Sequence, residues 1–327
     1  MQNVDKLSQT AQAVITGYFG VPSIDQLAFE GVKYGFMAYY RCIVRGVGKA
    51  AFIKVHTPEI YYDDNNGTAE EYSNKDLRYL EQEADNLQYV NNHNPSLVPQ
   101  LLLYKDGVMM IEVMDDCHWL APRDALNDYV RDTMKILKGI ETLPLGDYSD
   151  STMQGLLREN WSEVNFEKIP NGYTVNLELL RDLGATAIKG IESDRIVHHD
   201  AHQLNIGWHP ERGSRLVDFS RMDLGPANAD ATMLLIDLHK HGYNVKPFMD
   251  GRFNEQYAWL RAGNWLYRST LPPGSSETVR TNQRLSARAA LELLGMLPPR
   301  HSEDNSHHLT SWIAAHHSKY SDLSTSQ

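Results

Sequence analysis

The stretch His198-His199-Asp200-Ala201-His202-Gln203-Leu204-Asn205, followed shortly by Leu216-Val217-Asp218-Phe219, decides how this chain is read. Short apolar runs alternate here with polar turns. Arg195-Ile196-Val197 reads as a strand, then come a polar loop, a strand over Asn205 to Trp208, a turn over Pro210 to Ser214, and a strand over Arg215 to Phe219. Asp200 and Asn205 stand five residues apart on one loop, a spacing that lets both face the same cleft. Asp218 ends the antiparallel partner strand and returns beside that loop. A carboxylate to take a hydroxyl proton, oxygen ligands for magnesium, and cations over phosphates are what phosphoryl transfer asks of a protein. One carboxylate and one amide oxygen suit magnesium, which prefers oxygen donors and keeps several waters.

Upstream of this stretch the chain is β-rich. Met37 to Val44 and Ala50 to Val55 are strand-like runs joined at Arg45-Gly46-Val47-Gly48, a hairpin signal. Thr57 to Lys75 is polar and reads as an exposed loop or insertion. From Asp76 the period changes: Leu77, Leu80, Ala84 and Leu87 recur at helical spacing, with Asp76 or Ser73 as N-cap. A second hairpin follows, Leu97 to Tyr104 and Gly107 to Met114 around Lys105-Asp106-Gly107. Lys54 lies in one of these strands, where a buried lysine is costly unless an anion pairs with it. Glu81 and Glu83 sit on opposite shoulders of the helical stripe, and periodicity does not choose between them.

Downstream the pattern is mainly helical. Asp115 to Asp124 reads as a connector, and Leu126, Tyr129, Val130, Thr133, Leu137 and Ile140 trace one helix face. Further helices are expected over Leu177 to Ile188, Ala231 to Lys240, Glu255 to Tyr267 and Ser286 to Leu297. The first twenty residues read as an amphipathic surface helix, and from His301 the chain is polar and His/Ser-rich. A small β-rich part over 1–113 followed by a larger helical part over 114–327 is the expected division.

His198-x-Asp200-x-x-x-x-Asn205, then an apolar strand ending in Asp218 and an aromatic, resembles the signature of the aminoglycoside phosphotransferase and choline kinase group, relatives of the protein kinases. The resemblance spans Phe29 to Leu238. It implies an α+β, two-lobed protein-kinase-like fold, with an antiparallel-sheet N-lobe that binds nucleotide and a mainly helical C-lobe with catalytic loop, metal site and acceptor pocket. It further implies transfer of the γ-phosphoryl group of ATP or GTP to a hydroxyl, with Asp200 as base, His198 shaping the loop, and Asn205 and Asp218 holding Mg2+. Lys54 then corresponds to the phosphate-binding lysine, and the Glu-Ala then Leu pattern favours Glu83 as its partner. Glu112 to Met114 resembles the hinge whose backbone reads the adenine edge. The phosphate-covering loop is reduced to Gly31 and Gly35, within Gly31 to Phe36. Gly225-Pro226 and Asp230 match the segment in which the later Asp braces the loop. His199 and Leu204 stand where many relatives have glycine.

Composition narrows the field. The chain has 327 residues, with 31 basic against 42 acidic and a net charge of -11. That balance argues against a nucleic-acid partner, which calls for a basic face, and suits a cationic small-molecule acceptor. No apolar run reaches the roughly 18 residues a membrane helix needs, and the N-terminus has no secretory pattern. Cys42 and Cys117 are far apart and form no disulfide scaffold, so a reducing cytoplasm is expected. Four readings compete: a small-molecule kinase, a bacterial-type Ser/Thr protein kinase of the same fold, a nucleotide-binding pseudokinase, and an Fe(II) oxygenase using His198, Asp200 and a distant His such as His239. The first is favoured. All catalytic positions are filled, the long activation segment of eukaryotic protein kinases is absent, and helices flank the motif where an oxygenase would have a jelly-roll.

Overall fold

The computed structural model describes residues 7–34, 39–46, 48–57, 69–169, 177–270 and 277–298. Gly35 and the stretch from His301 lie outside them. The chain divides into two compact units. One is built from residues up to Cys117 with Arg215–Ser220, the other from His118–Ser214 and the described residues from Arg221 on.

The first unit is an antiparallel sheet with helices. Its strands are β1 (Ala28–Tyr34), β2 (Tyr39–Gly46), β3 (Lys49–His56), β4 (Leu101–Lys105) and β5 (Val108–Ile111), in the order β1-β2-β3-β5-β4. The β2–β3 and β4–β5 pairings are the hairpins that the turn residues predict; β1 pairs with β2 without having been read in the sequence, and in the β3–β5 pairing Phe52 to Val55 meet Ile111 back to Val108. The alternation of β2 and β3 sends Tyr40, Cys42, Val44, Ala51, Ile53 and Val55 into one core. α1 (Gln9–Phe19), capped by the Ser8 hydroxyl and ended by left-handed Gly20, adds Ala11, Val14, Ile15 and Phe19 to that core. The amphipathic helix expected at the N-terminus thus covers the sheet.

Two expectations need correction here. α2 (Ala69–His93) begins before Asp76, so the polar stretch gives way to helix earlier than hydrophobic periodicity showed. Its first turns carry Glu, Ser, Asn and Lys instead of a stripe, and charged first turns still propagate helix. Gly31, expected in a phosphate-covering loop, lies within β1 at a register shift between Glu30 and Lys33, with φ of 63°. A glycine tolerates that conformation at a bulge.

The second unit is helical around short strands. It contains α3 (Leu126–Glu141), α4 (Ser151–Arg158), α5 (Leu177–Ala187), β6 (Arg195–Val197), β7 (Ile206–His209), β8 (Gly213–Leu216), β9 (Asp223–Gly225), α6 (Ala229–Lys240), α7 (Glu255–Ser269) and α8 (Glu277–Leu293); β8 carries the chain into the first unit. The strand expected over Arg215 to Phe219 stops at Leu216. Asp218 takes a left-handed φ of 66° and Phe219–Arg221 coil into a 3-10 turn. β9, which no pattern announced, then pairs antiparallel with β6.

Fully buried Trp161 anchors the helices, its indole N–H donating to the Trp259 carbonyl at 2.9 Å. Gly184 in α5 and Gly263 in α7 lie against this ring so closely that a Cβ would meet it at 2.3 and 2.7 Å. Among the described residues no helix is long and apolar enough to cross a membrane.

Candidate active site

In the first unit the chemistry gathers on β3 and α2. Lys54, 4% exposed, forms an ion pair with Glu83, 5% exposed. Lys54 Nζ also lies 3.9 Å from Asp218 Oδ1 and 4.7 Å from the centre of the Tyr39 ring. Burial pushes the Glu83 carboxyl above its usual value, and the Lys54 charge pulls it back. Glu81, left open by periodicity, is exposed on the other shoulder of α2, where it meets the Tyr104 hydroxyl.

The left-handed turn at Asp218 is held from two sides. The Ser220 hydroxyl donates to Asp218 Oδ1 at 3.0 Å, and the Asn86 amide of α2 donates to the Phe219 carbonyl at 2.8 Å. Sequence reasoning passed over Arg41, which pairs across β2–β3 with Lys54 and whose buried Nε has no partner among the described residues. Like charges directly opposite on a sheet are unfavourable by themselves, and two cations there suit a polyanion. An arginine among the buried residues of β2 was the available signal.

The segment expected to act as a hinge, Glu112 to Met114, follows β5 directly. Glu112 N–H already donates to the Gln100 carbonyl at 2.9 Å, and its carboxylate takes Arg215 at 2.6 Å, so neither is free for a ligand. Met114 lies past the end of β5, outside any regular element, and is half-buried.

In the second unit the loop after β6 is bound from below. Asp230 of α6 accepts the backbone N–H of His198 at 2.7 Å and of His199 at 2.9 Å, one on each oxygen. Burial raises the Asp230 carboxyl to about 7, against the two N–H donors that favour its anion. His198 is fully buried, and its Nδ1 accepts the Asp200 N–H at 3.2 Å. His199 adopts φ of 63°, the region glycine favours, at the position where relatives have glycine. Its ring is fixed at both ends, Nδ1 with the Tyr257 hydroxyl at 3.0 Å and Nε2 with the Leu224 carbonyl at 2.9 Å. Burial lowers His199 to about 3, so the ring is neutral; Nε2 donates to the carbonyl and Nδ1 accepts from the tyrosine.

Above this base stand the reacting candidates. The Asp200 side chain is 29% exposed and lies 4.0 Å from His202 Nε2. Asn205, nearly buried, donates its amide N–H to the Asp200 carbonyl at 2.9 Å, which turns its amide oxygen away as an available hard ligand. Asp237 takes both the Gln203 N–H at 3.0 Å and its side-chain amide at 3.1 Å, closing the far end of the loop. Burial opposes the Asp237 charge, yet Lys240 and His241 hold its carboxyl well below the usual range. Tyr257 and Asp237 lie far from the motif in sequence, and no spacing marked them.

The iron reading loses its third ligand. His239 pairs with Glu292 of α8 at 2.8 Å, and among the described residues no three His, Cys, Asp or Glu side chains gather as a metal cluster. Taken singly, Asn205 of the second unit carries a neutral amide oxygen and Asp218 of the first a carboxylate, each an oxygen donor of the kind magnesium takes.

The model of the phosphotransferase enzyme family matches residues 72–268, and the chain belongs to that family. Lys54 and Gly31 lie upstream of the matched stretch. Choline kinase LicA from Streptococcus pneumoniae is similar in structure, with a TM-score of 0.55 at 14% identity over 87% of this chain and 100% of that one. A choline/ethanolamine kinase family protein from Mesorhizobium loti gives 0.54 at 13% identity, over 93% and 97% of the two chains. A thermostable mutant of an aminoglycoside phosphotransferase, solved with ADP and hygromycin B, gives 0.56 at 12% identity over 88% and 98%. These likenesses establish the two-lobed kinase-like fold. No curated protein matches the sequence.

Proposed function

We propose that this phosphotransferase moves the γ-phosphoryl group of ATP or GTP to a hydroxyl of a small molecule. The observation that carries the reading is the buried Lys54–Glu83 pair with Asp218 beside it, a cation fixed in a strand next to a partly exposed carboxylate. Lys54, supported by Arg41, grips the phosphates. Asp200 takes the proton of the acceptor hydroxyl, and His198 holds its backbone in place. Asn205 and Asp218 hold magnesium, which when bound neutralises charge on the phosphate oxygens.

The similar structures support the nucleotide and the size of the acceptor: LicA has been solved with AMP, and the aminoglycoside phosphotransferase with ADP and hygromycin B. A nucleotide co-substrate and two free cysteines agree with a cytoplasmic setting. The test is a thermal melt with and without magnesium nucleotide, followed by nucleotide consumption over a panel of alcohols. At a concentration about 100 times the dissociation constant, binding adds roughly 2.7 kcal/mol of stability. No shift with millimolar ATP or GTP would overturn the reading.

A further inference from the structure

α6 carries a second buried carboxylate that holds the catalytic loop, and the brace supplied by Asp230 leaves it unexplained. Asp230 and Asp237 stand seven residues apart in this helix, two turns and roughly 10 Å along one face. Asp230 takes the loop at His198 and His199, before Asp200, and Asp237 takes it at Gln203, after Asp200. The helix thus measures out the span in which the proposed base lies.

The grip at Gln203 has a local cause. Gln203–Asn205 coil into a 3-10 turn, and the residue before it, His202, makes no side-chain cap hydrogen bond. Gln203 is 1% exposed, so the opening N–H of the turn needs an acceptor from elsewhere in the chain. Asp237 Oδ2 accepts that N–H at 3.0 Å and the Gln203 side-chain amide at 3.1 Å, while Gln203 Oε1 accepts the Ala121 N–H at 2.9 Å. The same turn ends on Asn205. Its backbone N–H donates to the His202 carbonyl at 2.9 Å, and its side-chain amide to the Asp200 carbonyl at 2.9 Å. A displacement of Gln203 therefore passes directly to Asn205.

Asp237 is itself held on its other oxygen. Oδ1 meets Lys240 Nζ at 2.7 Å and His241 Nε2 at 3.6 Å, and Lys240 reaches on to Asn282 and Ser286 of α8 at 3.3 and 3.4 Å. Burial opposes the Asp237 charge, and Lys240 and His241 outweigh it. A buried ion pair adds little to stability over apolar packing, so stability alone does not account for this one. A charged acceptor forms the stronger hydrogen bond, and one anchored from behind keeps its direction.

We propose that Asp237 is a positioning residue of the phosphotransferase: through Gln203 it sets the orientation of Asn205, and so the affinity for magnesium in the nucleotide complex. The proposal rests on the reading of Asn205 as a magnesium ligand.

The test follows AMP-PNP binding as a function of magnesium, by calorimetry on the full chain, beside ADP affinity in EDTA and the melting temperature. Asp237→Asn and Gln203→Met should need about 10–100-fold more magnesium than wild type, the usual loss when the partner that orients a metal ligand is removed. ADP binding in EDTA should stay at the wild-type value, and turnover should fall at low magnesium and recover as magnesium is raised. Ile236→Val trims a buried neighbour on the same helix, and should lower the melting temperature while keeping the wild-type magnesium requirement. A folded Asp237→Asn with the wild-type requirement overturns the proposal, and Gln203→Met gives the same decision if that chain does not fold. A shift of equal size in Ile236→Val also overturns it. If wild type binds no AMP-PNP, or binds it equally with and without magnesium, the reading of the site falls and this proposal with it, a result seen before any variant is made.

Discussion

Lys54 and Asp200 are each set in place by a buried carboxylate, and the two carboxylates act in different ways. Glu83 meets Lys54 charge to charge, from a helix to a strand, with both side chains nearly sealed from water. Asp230 never touches the Asp200 side chain; it takes the two backbone N–H groups before it and so fixes the loop's course. The first arrangement depends on both charges surviving. The second tolerates change in the loop's side chains and depends on the shape of what packs beneath, above all the His199 ring.

The largest effect is expected where charge meets charge. Glu83→Ala leaves Lys54 buried without its anion and should cost about 3–5 kcal/mol, read by urea denaturation. The double change Lys54→Met, Glu83→Leu should recover most of that stability while abolishing turnover. A double variant as unstable as the single one would mean that packing, not charge, governs this site.

Asp200→Asn should lower turnover by at least about 10²-fold, the usual loss of a general base, with nucleotide affinity unchanged by calorimetry. Asp218→Asn should weaken magnesium-dependent nucleotide binding together with turnover. If Asp200→Asn loses nucleotide and Asp218→Asn keeps it, the two roles are wrongly assigned.

Asp230→Asn sharpens the contrast through pH. Asp230, raised from 3.8 to about 7, holds a proton in the fold that the unfolded chain has lost, so its stabilising contribution fades as pH rises through that window. His199, lowered from 6.5 to about 3, stays neutral while the unfolded chain takes up a proton, so its contribution fades as pH falls through its own window. Between about pH 4 and 6.5 the two slopes oppose and the pair leaves stability nearly level. The asparagine variant, itself destabilised by about 1–3 kcal/mol for an imperfect acceptor, keeps only the His199 slope. Denaturation curves across that range should show stability falling by up to about 1.4 kcal/mol per pH unit on acidification, and a flat profile would refute the assignment.

The smallest effect is steric. A Cβ on Gly225 would stand 2.8 Å from the His199 ring. Gly225→Ala should therefore cost about 1–3 kcal/mol, as overpacking does, and shift the ring from the Leu224 carbonyl. A melting temperature equal to wild type would show the ring to be free to move.

Two hairpins of the first unit's sheet were legible because hairpins announce themselves locally: Lys105-Asp106-Gly107 and Gly46 to Gly48 fall at their turns, whereas β1 went unread. α3 was legible because its apolar face repeats at the helical period. The start of α2 was hidden, since a polar helix has no stripe, and β9 was hidden because three residues are too few to show a period. Asp200 and Asn205 share a loop with the fixed spacing of the resemblance. The structure puts that loop over Asp230, Tyr257 and Asp237, of which only Asp230 followed from the resemblance. Tyr257 and Asp237 act through contacts between distant segments, which no local pattern encodes. Arg41 stands in an otherwise buried run, where a lone charge looks like an interruption until its neighbours in space are known.

Trp161 and the two glycines that flank it form a lock whose parts must change together. Gly184 and Gly263 each interrupt a helix with the residue least suited to it, and the indole occupies the space that their missing side chains leave. An alanine at either position becomes acceptable only when the ring shrinks, and a smaller ring alone leaves a void that an alanine would fill. Single substitutions at these three sites should therefore be harmful and certain pairs mild. Change in this part of the molecule thus has to pass through paired steps.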